Sequence, residues 1–114
     1  MKTLVVLISG RGSNLQAILD ANLSLLRVAA VLSSVSEAAG LARARAAGVP
    51  TAAIDHRSFP ERAAFDRRLA EEIERFEPDL IALAGFMRVL GNDLVQRYAG
   101  RMVNIHPSLL PAFP

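Results

Sequence analysis

The chain has 114 residues, 52% hydrophobic and 5% aromatic, with 13 Lys and Arg against 11 Asp and Glu, a balance that suits one globular domain and is the reverse of intrinsic disorder. The absence of cysteine excludes a disulfide framework, an iron–sulfur or thiolate zinc site and a Cys nucleophile, and points to a reducing compartment. No charge-free run approaches the roughly 20 apolar residues of a membrane span, and the arginines are spread among acids at a formal charge of only +2, so neither a membrane nor a nucleic-acid partner is expected.

Met1-Lys2-Thr3 ahead of Leu4-Val5-Val6-Leu7-Ile8 has the outline of a signal peptide, but the run ends in Ser9-Gly10-Arg11-Gly12, a charged glycine loop rather than a cleavage site. A buried first strand and a cytoplasmic protein are expected. A helix follows over Ser13 to Ala21 with Leu15, Ile18 and Leu19 inward, then a strand over Val28 to Leu32. The Ala-rich segment Glu37 to Ala47 starts after Ser36 and ends at Gly48 with Pro50 beyond, the order of a helix terminus. Thr51 to Ile54 reads as the third strand. In Glu61 to Phe76, the residues Phe65, Leu69, Ile73 and Phe76 form one apolar stripe; Ser58 with Glu61 predicts a capping box and Glu77-Pro78 the stop. Leu80 to Ala84 is a strand, Asp93 to Tyr98 a short helix capped by Asn92 and closed by Gly100, and Met102 to Ile105 the last strand.

This alternation predicts an α/β fold, a Rossmann-like parallel sheet with helices on both faces, as a single domain over residues 1–114 without repeats or linkers. The chain ends in Pro107-Ser108-Leu109-Leu110-Pro111-Ala112-Phe113-Pro114, whose three large apolar side chains have no following element to pack on. Native termini are usually polar. The expectation is the N-terminal part of a longer chain.

Ligands of open parallel sheets bind beyond the carboxyl ends of the strands. Three segments end there: Ser9 to Asn14, Gly85 to Arg88, and Asn104-Ile105-His106-Pro107. The first is a glycine loop opening a helix, where N–H groups and the helix dipole attract an anion. A dinucleotide fingerprint would need a glycine at Leu15 and an acid where Ser33 and Ser34 stand, so NAD fits poorly; Ser13 and Asn14 suit a single phosphate, or serve as a helix cap and nothing more. Asn104 and His106 are two apart on a strand and so share a face, where Asn offers an amide to a developing oxyanion and His a proton. The plainer alternative is a histidine bonded to backbone at a strand end. His56 reads as surface, and no ligand-spaced acid or second His accompanies either histidine, so no metal is expected. Arg62 and Arg88 read as solvated charges on composition alone, and Gly85-Phe86-Met87 as either the floor of a pocket or core packing.

Ile8-Ser9-Gly10-x-Gly12-Ser13-Asn14-Leu15-Gln16-Ala17, Leu83-Ala84-Gly85-Phe86-Met87-Arg88 and Asn104-Ile105-His106-Pro107-Ser108-Leu109-Leu110-Pro111 resemble the phosphoribosylglycinamide formyltransferases, folate-dependent enzymes of purine synthesis, collinearly over the whole chain. The last motif is shared across folate formyltransferases and hydrolases, and the Gly-Ser-Asn loop narrows the likeness. The resemblance implies that Gly12, Ser13, Asn14, Leu15 and Gln16 receive the phosphate of 5-phosphoribosylglycinamide. It implies that Arg62, Met87, Arg88, Val89, Leu90 and Asn104 bind 10-formyltetrahydrofolate as cosubstrate, with no metal, and it leaves a homodimer open. Asn104 and His106 would be the catalytic pair, stabilising the tetrahedral intermediate formed when the glycyl amine attacks the formyl carbon. The family pattern has a later Asp that raises the pKa of this histidine, and the sequence stops before it. Little or no turnover is therefore expected from these 114 residues alone. The alternatives are a tRNA formyltransferase or formyl-folate hydrolase, or a phosphate-binding fragment without chemistry.

Overall fold

Val5, Val6, Leu7 and Ile8 are completely buried, as a strand between two helical layers requires. The computed structural model describes residues 1–21 and 25–105. Its elements in chain order are β1 (Lys2–Ile8), α1 (Ser13–Ala21), β2 (Leu26–Ser33), α2 (Ala39–Ala46), β3 (Thr51–Ala53), α3 (Arg62–Arg75), β4 (Leu80–Leu83), α4 (Asn92–Arg97) and β5 (Met102–Asn104). All strand pairs are parallel, in the order β3-β2-β1-β4-β5. The order reverses beside β1, so a crevice opens past the carboxyl ends of β1 and β4.

Alternation along the strands divides the core in two. Leu4, Val6, Ile8, Val31 and Ala82 face Leu15 and Ile18 of α1 and Leu41 and Ala44 of α2. Val5, Leu7, Ala30, Leu32 and Ile81 face Phe65, Leu69 and Ile73 of α3 with Leu94 and Tyr98 around α4. Each fully buried Leu or Ile contributes about 1.5–3 kcal/mol, so these two layers hold the strand ends in place. The predicted stripe on α3 is present with one addition. Glu72 is 2% exposed on it, its carboxylate held by Arg68 at 2.8 Å and Arg75 at 2.6 Å.

The helix starts differ from expectation because two aspartates take N–H groups there, once locally and otherwise by reaching across the fold. The Ser58–Glu61 capping box does not form. Asp55 accepts the Arg57 N–H and organises a 3-10 turn, His56–Ser58, which consumes Ser58; Glu61 precedes α3 in extended conformation without a side-chain cap bond. Phe59 then stacks edge-on against Phe65, centroids 5.9 Å apart. α2 begins at Ala39, not Glu37, because the Ser36 N–H donates to Asp55 Oδ2 at 3.0 Å and Glu37 pairs with Arg57. Asn92 is the first residue of α4 rather than its cap, and the N–H of the preceding Gly91 donates to Asp66 Oδ2 at 2.8 Å.

Candidate active site at the strand ends

The loop after β1 is shaped by two glycines from different helices. Gly12 has φ +84°, and a Cβ there would stand 2.5 Å from the Gly40 Cα; one on Gly40 would stand 2.6 Å from Ile8 Cδ1 and 3.0 Å from the Gly12 Cα. Only glycine at both positions lets the start of α2 dock on the start of α1. The Gly40 N–H donates to the Gly10 carbonyl at 3.1 Å and closes the contact.

Gly12 is the residue that opens α1, its carbonyl accepting the Gln16 N–H at 2.7 Å. Ser13 and Asn14 therefore lie inside the helix, and neither makes a cap bond among the described hydrogen bonds. The first-turn N–H groups have no intrahelical acceptors, and no acidic side chain occupies that turn, so the dipole there is uncompensated. Leu15 is fully buried and can offer a ligand only its backbone. Gln16 spends its N–H on Gly12 and its side chain on Asp20 at 2.9 Å and Arg43 at 3.4 Å, which leaves it little to give a phosphate.

Three strand ends meet at this loop. The Ser9 hydroxyl accepts the Met87 N–H at 2.9 Å and shares a 2.7 Å bond with the Ser34 hydroxyl, which is wholly buried. Asn14 Nδ2 donates to the Ile105 carbonyl at 3.5 Å, and the Ile105 N–H donates to the Leu83 carbonyl at 2.9 Å. Asn104, at the end of β5, pairs in register with Leu83 and is exposed. Loops after β1, β4 and β5 thus border one crevice.

Beyond Gly85, Phe86 and Leu90 pack against the α3 layer while Met87 is 79% and Val89 68% exposed; Arg88 is exposed as well. Phe86 is core packing, whereas Met87 and Val89 present an apolar surface. Arg62, the exposed first residue of α3, lines a groove of about 940 Å³ with Asp66, Gly91, Asn92 and Leu94, immediately past Leu90. Arg62 is thereby brought near the end of the Met87–Leu90 segment. His106 lies outside the described residues, so its pairing with Asn104 is not described. Among the described residues, no group of three or more His, Asp or Glu is placed to hold a metal.

Sequence reading placed Ser9 in the candidate loop without a role and did not single out Ser34, Gly40 or Arg43 as parts of this site. Gly40 carried a signal: a glycine inside a helical segment costs about 1 kcal/mol against Ala and asks for a close approach. Arg43, one of two arginines in that segment, carried none.

The Formyl transferase family pattern matches residues 2–114. The chain belongs to that family. It is 53% identical to the phosphoribosylglycinamide formyltransferase of Escherichia coli (strain K12), covering 97% of this chain and 54% of that one. It is 49% identical to the trifunctional purine biosynthetic protein adenosine-3 of Bos taurus over 95% of this chain and 11% of that protein. The phosphoribosylglycinamide formyltransferase structure from Coxiella burnetii superposes with a TM-score of 0.87 at 50% identity, over 98% of this chain and 54% of that one. The chain thus spans about half the length of the single-function relative it matches. The parallel sheet with helices on both faces is that of the formyltransferase fold, as its motifs led us to expect.

Proposed function

We propose that the protein serves transfer of the formyl group from 10-formyltetrahydrofolate to the glycyl amine of 5-phosphoribosylglycinamide, in purine biosynthesis in the cytoplasm. The observation that carries this reading is the meeting of the Gly-Ser-Asn loop with the Gly85–Leu90 segment and the end of β5 at one crevice, in a chain 53% identical to an enzyme named for that ribonucleotide. The phosphate is received by the N–H groups of Gly12, Ser13, Asn14 and Leu15, with the Ser13 hydroxyl at the rim. The flat folate ring rests on Met87 and Val89, with Arg62, Arg88, Leu90 and Asn104 around it. Residues 1–114 act as one formyltransferase domain.

In the reaction, the glycyl nitrogen attacks the formyl carbon, and negative charge grows on the formyl oxygen. The Asn104 amide donates a hydrogen bond to that oxygen; the glycyl nitrogen gives up a proton, His106 delivers one to the folate nitrogen, and the bond from that nitrogen to the formyl carbon breaks to release tetrahydrofolate and formylated product. No metal or covalent enzyme intermediate enters.

The test is binding and turnover with both substrates. Ser13→Ala with Asn14→Ala should weaken ribonucleotide affinity by about tenfold or more, the loss of one or two hydrogen bonds to a charged group. Turnover by the 114-residue chain should be slight and vanish in His106→Ala. Unchanged ribonucleotide affinity in the double variant defeats the assignment and favours another formyl-folate enzyme. Binding of the ribonucleotide without any binding of the folate cosubstrate favours a phosphate-binding module.

A further inference from the structure

Arg43 projects from α2 across the glycine loop. Its Nε donates to the Arg11 carbonyl at 2.8 Å, and its Nη1 donates to Gln16 Oε1 at 3.4 Å, so one guanidinium spans the loop from its entrance to the second turn of α1. The Gly12–Gly40 contact makes this reach available, since a Cβ on Gly12 would also crowd Arg43 Cδ at 3.2 Å.

The Arg11 carbonyl and the Gly12 N–H belong to one planar trans peptide and point in opposite directions. Holding that carbonyl on the α2 side therefore turns the Gly12 N–H away from α2, and among the described residues nothing accepts it. With glycine at position 12, whose φ is one of the two angles about which this peptide turns, its rotation is cheap; a rotated peptide would aim a carbonyl oxygen where the N–H had been, and an anion would be repelled. We propose that Arg43 is a positioning residue for the phosphate-receiving loop, acting through the Arg11 carbonyl and the Gln16 amide rather than by touching the ligand. This rests on the reading that the loop takes a phosphate.

Arg43 is exposed, so its substitution leaves the core intact. The experiment measures affinity of the chain for 5-phosphoribosylglycinamide and for its phosphate-free analogue, with thermal melting alongside. Arg43→Gln should weaken binding of the phosphorylated ligand by about tenfold, the size of one lost hydrogen bond, and leave the phosphate-free analogue and the melting temperature nearly unchanged. Arg43→Lys should be equally weak, because an ammonium keeps the charge but not the fork that holds carbonyl and amide together. Full affinity in Arg43→Lys would overturn the proposal by showing that charge alone suffices. Wild-type affinity in Arg43→Gln, with the loss confined to Ser13→Ala and Asn14→Ala, would overturn it while leaving the phosphate reading intact. Unchanged affinity in all these variants would remove both.

Discussion

The loop after β1 and the loop after β4 border the same crevice but are built in opposite ways. The first is braced on every side: Gly40 against Gly12, Arg43 on the Arg11 carbonyl, Ser34 on Ser9. The second is tied at two backbone N–H groups, Met87 to Ser9 and Gly91 to Asp66, and between them Met87 and Val89 stand exposed. A fixed set of N–H groups suits recognition of one phosphate, whose geometry does not vary. An apolar segment held only at its ends suits a ring that must slide in and be covered. The difference teaches that rigidity at this crevice comes from neighbouring helices and not from the loops themselves.

Removing the glycine contact should have the largest effect. Gly40→Val places side-chain carbons against the Gly12 Cα, the Gly10 carbonyl and Ile8 Cδ1, two of which are backbone and cannot turn aside. A loss of about 3 kcal/mol is expected, the upper part of the usual overpacking range. Denaturant unfolding checks it, and a loss below about 1 kcal/mol would mean that α2 can shift without harm and that the brace is slack.

What was legible in the sequence follows the same division between local and distant interactions. The nine strands and helices could be read because Leu4–Ile8 and the stripe Phe65, Leu69, Ile73 state their burial through spacing alone. The caps at Ser36 and Asn92 could not, because Asp55 and Asp66 reach the neighbouring N–H groups through the fold, across 19 and 25 residues; the Ser58 cap lost to a local competitor, the Asp55 turn onto Arg57, that the sequence also held. The site divides likewise. The Gly-Ser-Asn loop and Asn104 announce themselves by residue type, whereas Ser34 and Arg43 enter through bonds spanning 25 and 32 residues that no local pattern encodes. Glu72 reads as a solvent position by type, and its burial depends on two flanking arginines that keep their own charges near water.

Ser9 is where the two loops touch, and Ser9→Ala should separate them. The variant strips Ser34 of its hydroxyl partner in a fully buried place and frees the Met87 N–H. The expected cost is about 1–2 kcal/mol, that of leaving a buried polar group unpaired. The sharper expectation concerns order. Amide exchange should rise at Met87 but stay low at Gln16 and Gly40, whose N–H groups bond the Gly12 and Gly10 carbonyls, since Gly40 and Arg43 still hold the first loop. Equal loosening of both loops would show that Ser9, not α2, is the keystone.

The smallest effect is expected from acid, acting at the approach to α2. Arg57 donates to Asp55 at 2.6 Å and to Glu37 at 2.8 Å, and the Ser36 N–H at the approach to α2 donates to the same Asp55 carboxylate. The hydrogen bonds from the Arg57 side chain, then from the Ser36 and Arg57 N–H groups, hold the Asp55 carboxyl far below its ordinary value of 3.8, and Glu37 is lowered by Arg57 in the same way. Arg57 is correspondingly raised, by Asp55 first, and stays charged throughout. A depressed carboxylate stabilises the folded chain fully above its unfolded pKa. That contribution fades as pH falls below about 4, because the unfolded chain takes up the proton first. Arg57 and Glu37 are more than half exposed and only Asp55 is largely covered, so the change should be small and weaken further in salt. Melting temperatures should therefore fall more between pH 7 and pH 3 in the wild type than in Asp55→Asn, and Asp55→Ala should lose protection against exchange at the Ser36 N–H. If that loosening passes on to the Gly40 N–H, the brace on the glycine loop extends back to the approach to α2. If it stops at Ser36, the glycine contact and Arg43 hold the loop alone.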